Sequence, residues 1–168
     1  MAFSGPGTIR ATTPTGAVEV PASDLKSWIL SADALAPLVV TDATTYTVLV
    51  GNSGRIHVFP DLTASCTATL PAPAAGLNYT FWYGGAAADA HDWVITTASD
   101  TNYFVGGVVF LDQDGDAISG VYADGNSNSK LTVVKPEVGT EVRVRSDGTL
   151  WYLNGRVHSV TVPALADQ

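Results

Sequence analysis

Short runs of alternating apolar and polar residues recur from residue 38 onward, and turn-forming Gly, Asn, Asp and Pro separate nearly all of them. An alternation with a period of two is typical of β-strands that bury one face. The pattern therefore predicts about ten short strands, at a spacing of roughly 8–12 residues. The predicted strands span residues 46–50, 55–59, 66–70, 78–83, 92–97, 103–111, 117–122, 130–135, 140–145, 149–153 and 156–162.

This spacing, together with twenty valines and nineteen threonines, favours a mainly β fold. We expect an antiparallel sandwich, a jelly-roll-like arrangement or a barrel over residues 38–168, as a single β domain. The clearest local feature is the sequence Ser-Asp-Gly-Thr at 146–149, which predicts a tight turn between residues 142–145 and 150–153. Asn154-Gly155 predicts a second turn into residues 156–160, so the three segments would form a meander.

The first 37 residues differ from the rest of the chain. Residues 1–22 are rich in Gly, Pro, Thr and Ala without a regular period, so we expect a disordered leader or an extended arm that orders against a neighbouring subunit. Residues 23–37 predict one short helix that Pro37 ends. Its apolar residues recur at spacings of three and four, at Leu25, Trp28, Ile29, Ala32 and Leu35.

Charge is scarce and mostly acidic. Charged residues make up 14% of the 168 residues and hydrophobic residues 46%, while the formal net charge is −8. So acidic a chain argues against nucleic acid as a partner, and no apolar run is long enough to span a membrane. The first ten residues lack the pattern of a secretory signal. Cys66 is the single cysteine, which excludes an intrachain disulfide and a cysteine-based zinc site.

The segment Asp112-Gln113-Asp114-Gly115-Asp116 has carboxylates at alternate positions, as hard cations prefer. The EF-hand pattern requires Gly at its sixth position and Glu at its twelfth, where this chain has Ala117 and Ala123. We therefore favour a solvated turn, with a surface Ca²⁺ or Na⁺ site at Asp112, Asp114 and Asp116 as the alternative. No other metal and no cofactor is expected.

The sequence contains no set of residues typical of catalysis. It has neither a G-x-S-x-G nucleophile elbow nor a Walker-type phosphate loop, and only three glutamates. The histidines His57, His91 and His158 lie far apart, and only His91 has a carboxylate beside it, that of Asp92. We therefore predict that the protein is not an enzyme.

Two aromatic and apolar runs point to an interface. Neighbours in a strand point to opposite faces, so Phe81, Trp82 and Tyr83 cannot all enter one core. Contact with a subunit or partner is our first interpretation, with two-sided burial and a ligand platform as alternatives. The run 104–111 is apolar on both faces, which makes Phe104 and Phe110 further interface candidates if this strand lies at an open edge.

Two segments resemble small tailed-phage virion proteins. The first, at residues 68–81, reads ATLPAPAAGLNYTF, and the second, at residues 139–155, reads GTEVRVRSDGTLWYLNG. In that group the first motif enters a β-strand and the second forms a hairpin near the C-terminus. The resemblance spans roughly residues 48–157, and its motifs describe hairpins rather than a reaction, so no catalytic residue is carried over.

The resemblance implies a capsid decoration, or cement, protein: a virion structural protein that binds the exterior of an assembled phage head and stabilises it. Its partners would be the major capsid protein and copies of itself, as a homotrimer, after synthesis in the host cytoplasm. Tail-fibre modules, which share the motifs, more often belong to longer chains, so a complete protein of 168 residues favours decoration. The alternative is a tail or fibre module that recognises host glycans.

Overall fold

The chain divides into two units, residues 1–36 and residues 37–168. The computed structural model describes residues 36–85 and 90–168, together with the backbone of residues 2–3, 8–13 and 16–21. Residues 23–35 of the predicted helix therefore lie outside the described residues. The expectation that residues 1–22 order against a neighbouring subunit stays a prediction.

The first unit contains strands β1 (Ala2–Phe3), β2 (Thr8–Thr13) and β3 (Gly16–Pro21), paired antiparallel in that order. No regular element was predicted for residues 1–22, and the three strands contradict this prediction for the residues that they span. The glycines and prolines that obscured the pattern lie between the strands or at their ends, as Gly16 and Pro21 do. The β2–β3 register pairs Ile9 with Val20.

The described part of the second unit contains twelve strands, numbered β4 to β15, and a short 3₁₀ turn at Val50–Asn52. No helix in the described residues is long and apolar enough to cross a membrane. The strands are β4 (Leu38–Val39), β5 (Thr45–Thr47), β6 (Ile56–Phe59), β7 (Cys66–Thr69), β8 (Asn78–Tyr83), β9 (Trp93–Thr96), β10 (Phe104–Asp112), β11 (Ile118–Tyr122), β12 (Lys130–Val133), β13 (Glu141–Ser146), β14 (Trp151–Ser159) and β15 (Ala164–Ala166).

These strands form two sheets, which confirms the mainly β, sandwich-like fold class; the described strands do not close into a barrel. The larger sheet has the order β11-β10-β14-β13-β8-β6-β4, and the smaller one β15-β12-β9-β7-β5. The sheets are mixed rather than purely antiparallel. Pairs such as β10–β14 and β6–β8 are parallel, because their strands are joined by crossovers instead of tight turns.

The two sheets bury one face each against the other, and aromatic rings from both fill the space between them. The ring centroids of Phe59 in the larger sheet and Trp93 in the smaller one lie 4.9 Å apart. Phe81 approaches the same Trp93 edge-on at 6.4 Å. Such tilted and edge-to-face contacts add stabilisation beyond the area that the rings bury. The described core also holds Tyr79, Tyr83, Leu131, Val144 and Trp151.

The meander predicted at residues 142–160 is only partly correct. A loop at residues 147–150 does connect β13 and β14, but Asn154-Gly155 makes no turn, because residues 151–159 form one continuous strand. This strand has β13 on one side and β10 on the other, so its backbone is hydrogen-bonded at both edges. A side chain at Gly155 would lie 2.3 Å from the Glu141 carbonyl oxygen, so the glycine permits close approach of neighbouring strands.

Strand β10 is an interior strand of the larger sheet, so the condition of an open apolar edge is not met for this run. It pairs with β14 over its whole length and with β11 on its other side. Gly106 in β10 has φ +94°, and a Cβ there would lie 2.4 Å from the Leu153 carbonyl oxygen. Only glycine meets both conditions without strain.

Candidate functional site

A row of outward-pointing residues crosses the larger sheet. Val58 of β6 pairs with Trp82 of β8. Trp82 also pairs with Glu141 of β13, which in turn pairs with Arg156 of β14. Directly paired residues lie on the same side of a sheet, so four strands place these side chains next to one another. The alternate residues of the same strands point into the core, as the burial of Phe81 beside exposed Trp82 shows.

Two further arginines lie on this side of the sheet, because Arg143 and Arg145 alternate with buried Val142 and Val144 along β13. Arg145 pairs with Tyr152 of β14, which is also exposed. Arginine and large aromatic residues are the types most enriched at protein interfaces and at their energetic hot spots. We define the arginine–aromatic face as the side chains of Trp82, Glu141, Arg143, Arg145, Tyr152 and Arg156.

The charge of this face is opposite to that of the protein. It combines three of the chain's five arginines with one glutamate, whereas the whole chain has a formal net charge of −8. A cationic surface on an acidic protein attracts negatively charged groups locally and directs their approach. The arrangement is therefore suited to binding an acidic surface.

Hydrogen bonds hold the centre of the face in place. The Trp82 indole Nε1–H donates to Oε2 of Glu141 at 2.7 Å. Arg143 Nη2 lies 2.8 Å from the other carboxylate oxygen, Oε1. Charge-assisted hydrogen bonds of this length are stronger than neutral ones, so Glu141 orients both the indole ring and the guanidinium group. The Trp82 side chain nevertheless stays 38% exposed.

A groove of about 330 Å³ opens beside the Trp82 ring. One wall is a β-turn in which the Thr140 N–H donates to the Glu137 carbonyl oxygen at 3.1 Å. Gly139 has φ +93° there, the left-handed conformation that glycine adopts readily at the third position of a type II turn. The groove is lined by Val58, Trp82, Gly84, Val138, Glu141 and Arg156.

The hairpin loop fixes the other aromatic residue of the face. The Asp147 carboxylate accepts the N–H groups of Leu150 and Thr149 at 3.0 and 2.8 Å, and the Tyr152 hydroxyl at 3.0 Å. These hydrogen bonds to its charged form lower the pKa of Asp147. The hydrogen bond that the Tyr152 hydroxyl donates to Asp147, together with the negative charge of Asp147, raises the pKa of Tyr152. The phenol ring is thereby held beside Arg145.

The structure separates the five predicted interface residues into two groups. Phe81, Tyr83, Phe104 and Phe110 are at most 2% exposed and belong to the core of the chain itself. They are therefore not on the surface of the chain, which corrects their assignment as surface candidates. Their burial follows from the alternation of β8 and β10, whose inward positions they occupy. Trp82 is the member of the set that lies on the surface.

The predicted polar candidates do not form a further site. The Asp112–Asp116 segment lies in the turn between β10 and β11, where Asp112 Oδ1 accepts the Asp114 N–H at 3.1 Å. In the described residues, no three His, Cys, Asp or Glu side chains are grouped so as to hold a metal ion.

The three histidines have separate partners. His57 Nδ1 lies 2.8 Å from the Tyr46 hydroxyl, His91 Nδ1 2.9 Å from the Leu62 carbonyl, and His158 Nδ1 2.8 Å from Gln113 Nε2.

The arginines and Glu141 were not predicted from the sequence as members of the site. The available signal was the strict alternation of valine and arginine at residues 142–145, which places Arg143 and Arg145 on one side of a strand. This signal does not indicate which strands lie next to β13. The contribution of Arg156 was further obscured by the predicted turn at residues 154–155.

Comparisons with known proteins do not identify the chain: no protein-family model matches it, and no curated protein is significantly similar in sequence.

Proposed function

We propose that this protein is a non-enzymatic decoration protein of a tailed-phage virion, which binds the exterior of the assembled capsid through the arginine–aromatic face. The observation that carries the proposal is this face itself: Trp82 and Tyr152 beside three arginines on an acidic chain. The resemblance of residues 68–81 and 139–155 to phage virion proteins supports a capsid as the partner. The low overall charge agrees with a surface that other subunits cover in part.

Stabilisation of the capsid would follow from linkage. A ligand that binds the assembled shell and not its dissociated subunits stabilises the assembly, by about 2.7 kcal/mol per site at a free concentration hundredfold above the dissociation constant. No chemical step is required. Copies of the protein would themselves associate, as a homotrimer, and sedimentation velocity of the purified protein tests this part of the proposal through the measured mass.

The proposal is tested by mixing the purified protein with undecorated phage heads. We expect saturable binding and an increase in the temperature at which the heads release their DNA. The variant Arg156→Gln should bind more weakly, because it removes a charge from the arginine–aromatic face. Lys130→Gln removes a positive charge from the smaller sheet instead, and it should bind as the unmodified protein does. Absence of saturable binding together with unchanged heat resistance would disprove the proposal.

A second candidate function is supported by the groove beside Trp82. An exposed indole ring at the side of a groove of about 330 Å³, with a carboxylate and a guanidinium group nearby, suits a sugar ring. The protein would then be a host-recognition module of a tail or fibre that binds surface glycans. A glycan array tests this candidate, and Trp82→Ala should abolish the signal. Uniform background binding across the array would exclude it.

A further inference from the structure

Among the described residues that line the groove beside Trp82, Glu141 is the one with a carboxylate, and that carboxylate is already satisfied. Glu141 accepts the Trp82 Nε1–H through Oε2 and is paired with Arg143 through Oε1. Both of its oxygens are therefore engaged, and its charge is compensated by Arg143. Glu141 thus positions the Trp82 ring.

Arg156 lines the same groove and has no side-chain partner among the described residues. Arg156 lies opposite Glu141 across the β13–β14 pair, yet it forms no ion pair or side-chain hydrogen bond with the described residues. A guanidinium group presents its donors in a planar fork that matches a carboxylate in a bidentate way. Because Glu141 is occupied, Arg156 remains available to a carboxylate from outside the chain.

Most of the remaining lining of the groove is apolar. The Trp82 ring and the Val58 side chain lie side by side through strand pairing, and Val138 is 57% exposed on the turn above them. Exposed apolar groups of this kind gain free energy when a partner covers them. The groove therefore combines a site for an apolar group with one free positive charge.

We propose that this groove binds an acidic segment of the partner protein, with an apolar side chain against Trp82 and a neighbouring carboxylate paired with Arg156. The inference rests on the proposed function, since it names the chemistry by which the capsid would be recognised. Charge complementarity selects this occupant. The free charge of the face is positive, whereas the net charge of −8 on the chain repels an extended polyanion such as nucleic acid.

Two matched peptides test the inference with the full-length protein. In one capped octapeptide, aspartates flank a leucine–phenylalanine pair, and in the other asparagines replace the aspartates. The Trp82 indole N–H resonance reports binding by NMR, while the buried indoles of Trp93 and Trp151 serve as internal references. We expect the aspartate peptide to shift the Trp82 resonance saturably and to bind at least tenfold more tightly than the asparagine peptide.

Variants of the protein identify the charge that is involved. Arg156→Gln should weaken binding of the aspartate peptide at least tenfold, whereas Lys130→Gln should leave it unchanged. The inference would be overturned by equal affinity for the two peptides or by an unshifted Trp82 resonance. It would also be overturned if a short DNA oligonucleotide or a glucuronic acid oligosaccharide shifted the same resonance and bound more tightly than the aspartate peptide.

The head-binding experiment separates this inference from the proposed function. If heads bind the unmodified protein and the Arg156→Gln variant equally well, the decoration role stands and the acidic-segment inference fails. If the heads do not bind the protein, but the aspartate peptide binds it and this binding depends on Arg156, the decoration role fails and the assignment of the groove stands.

Discussion

Protonation of His57 should destabilise the fold at mildly acidic pH. The His57 side chain is fully buried, its Nδ1 lies 2.8 Å from the Tyr46 hydroxyl, and the Phe81 ring centroid is 5.3 Å from its own. Burial lowers the pKa of His57 from 6.5 to about 4, an effect that the Asn52 backbone opposes and the charge of Arg55 reinforces. The folded state therefore keeps this imidazole neutral at a pH where the unfolded chain has protonated it.

The magnitude follows from the two pKa values. Well above pH 6.5 both states are neutral at His57, so the group contributes no pH dependence there. As the pH falls below 6.5 the unfolded state binds the proton first, and stability decreases until the folded state also binds it near pH 4. With pKa values of 6.5 and about 4, the loss at pH 4.5 is about 2.5 kcal/mol, and it approaches about 3 kcal/mol at lower pH.

Urea unfolding between pH 7.5 and 4.5 measures this loss when the protein is compared with His57→Phe. The phenylalanine ring fills a similar volume, and the Tyr46 hydroxyl loses its partner at every pH. The variant should therefore have a different unfolding free energy at pH 7.5. The contribution of His57 to the pH dependence of the unfolding free energy should be absent. Carboxylates titrate in both proteins and cancel in the difference.

The control is His158→Gln, in which the contribution of His57 between pH 7.5 and 4.5 should remain because His57 is intact. A difference in unfolding free energy between the unmodified protein and His57→Phe that stays constant from pH 7.5 to 4.5 would contradict this role of His57. A histidine NMR titration gives a second measurement, in which the His57 ring signals should move only near pH 4.

Two further predictions concern the backbone and the two faces of a strand. Gly106→Ala should destabilise the protein by more than about 2 kcal/mol, because the new Cβ would lie 2.4 Å from the Leu153 carbonyl oxygen at φ +94°. Gly54→Ala, at φ +88° with open space around it, should cost about 1 kcal/mol. Equal urea midpoints for the Gly106→Ala and Gly54→Ala variants would contradict this account. Phe81→Ala should lower the unfolding free energy by about 3–5 kcal/mol, whereas Trp82→Ala should cost far less; similar losses would contradict the assignment of the two faces.

The strand positions were largely predictable from the sequence. Strand β8 has the predicted bounds, 78–83, because its alternation is bounded by turn-forming residues at both ends. The failure at Asn154-Gly155 has a physical reason. A turn-forming dipeptide makes a hairpin only where the chain gains by folding back, and here the extended strand forms hydrogen bonds to two neighbours.

The candidate site was much less predictable. Alternation indicated that Trp82 points away from Phe81, and the unused alternation at residues 142–145 places Arg143 and Arg145 on one side of a strand. It did not indicate which side would be the surface. Placing Trp82 next to Glu141, fifty-nine positions later in the chain, requires the β8–β13 register, and bringing in Arg156 also requires the β13–β14 register.

The amino-acid sequence alone was enough to place most strands of the second unit, to show which residues alternate between two faces, and to show that little charge is available to cover the surface. These are local properties, set by the two-residue period of a strand and the conformations of turn residues. Only the folded structure shows that β10 is an interior strand, that four of the five candidate aromatics are core residues, and that an arginine–aromatic face exists. Strand order and register depend on pairing between distant segments, because many local alternatives satisfy the same alternation and the complete sandwich selects one of them.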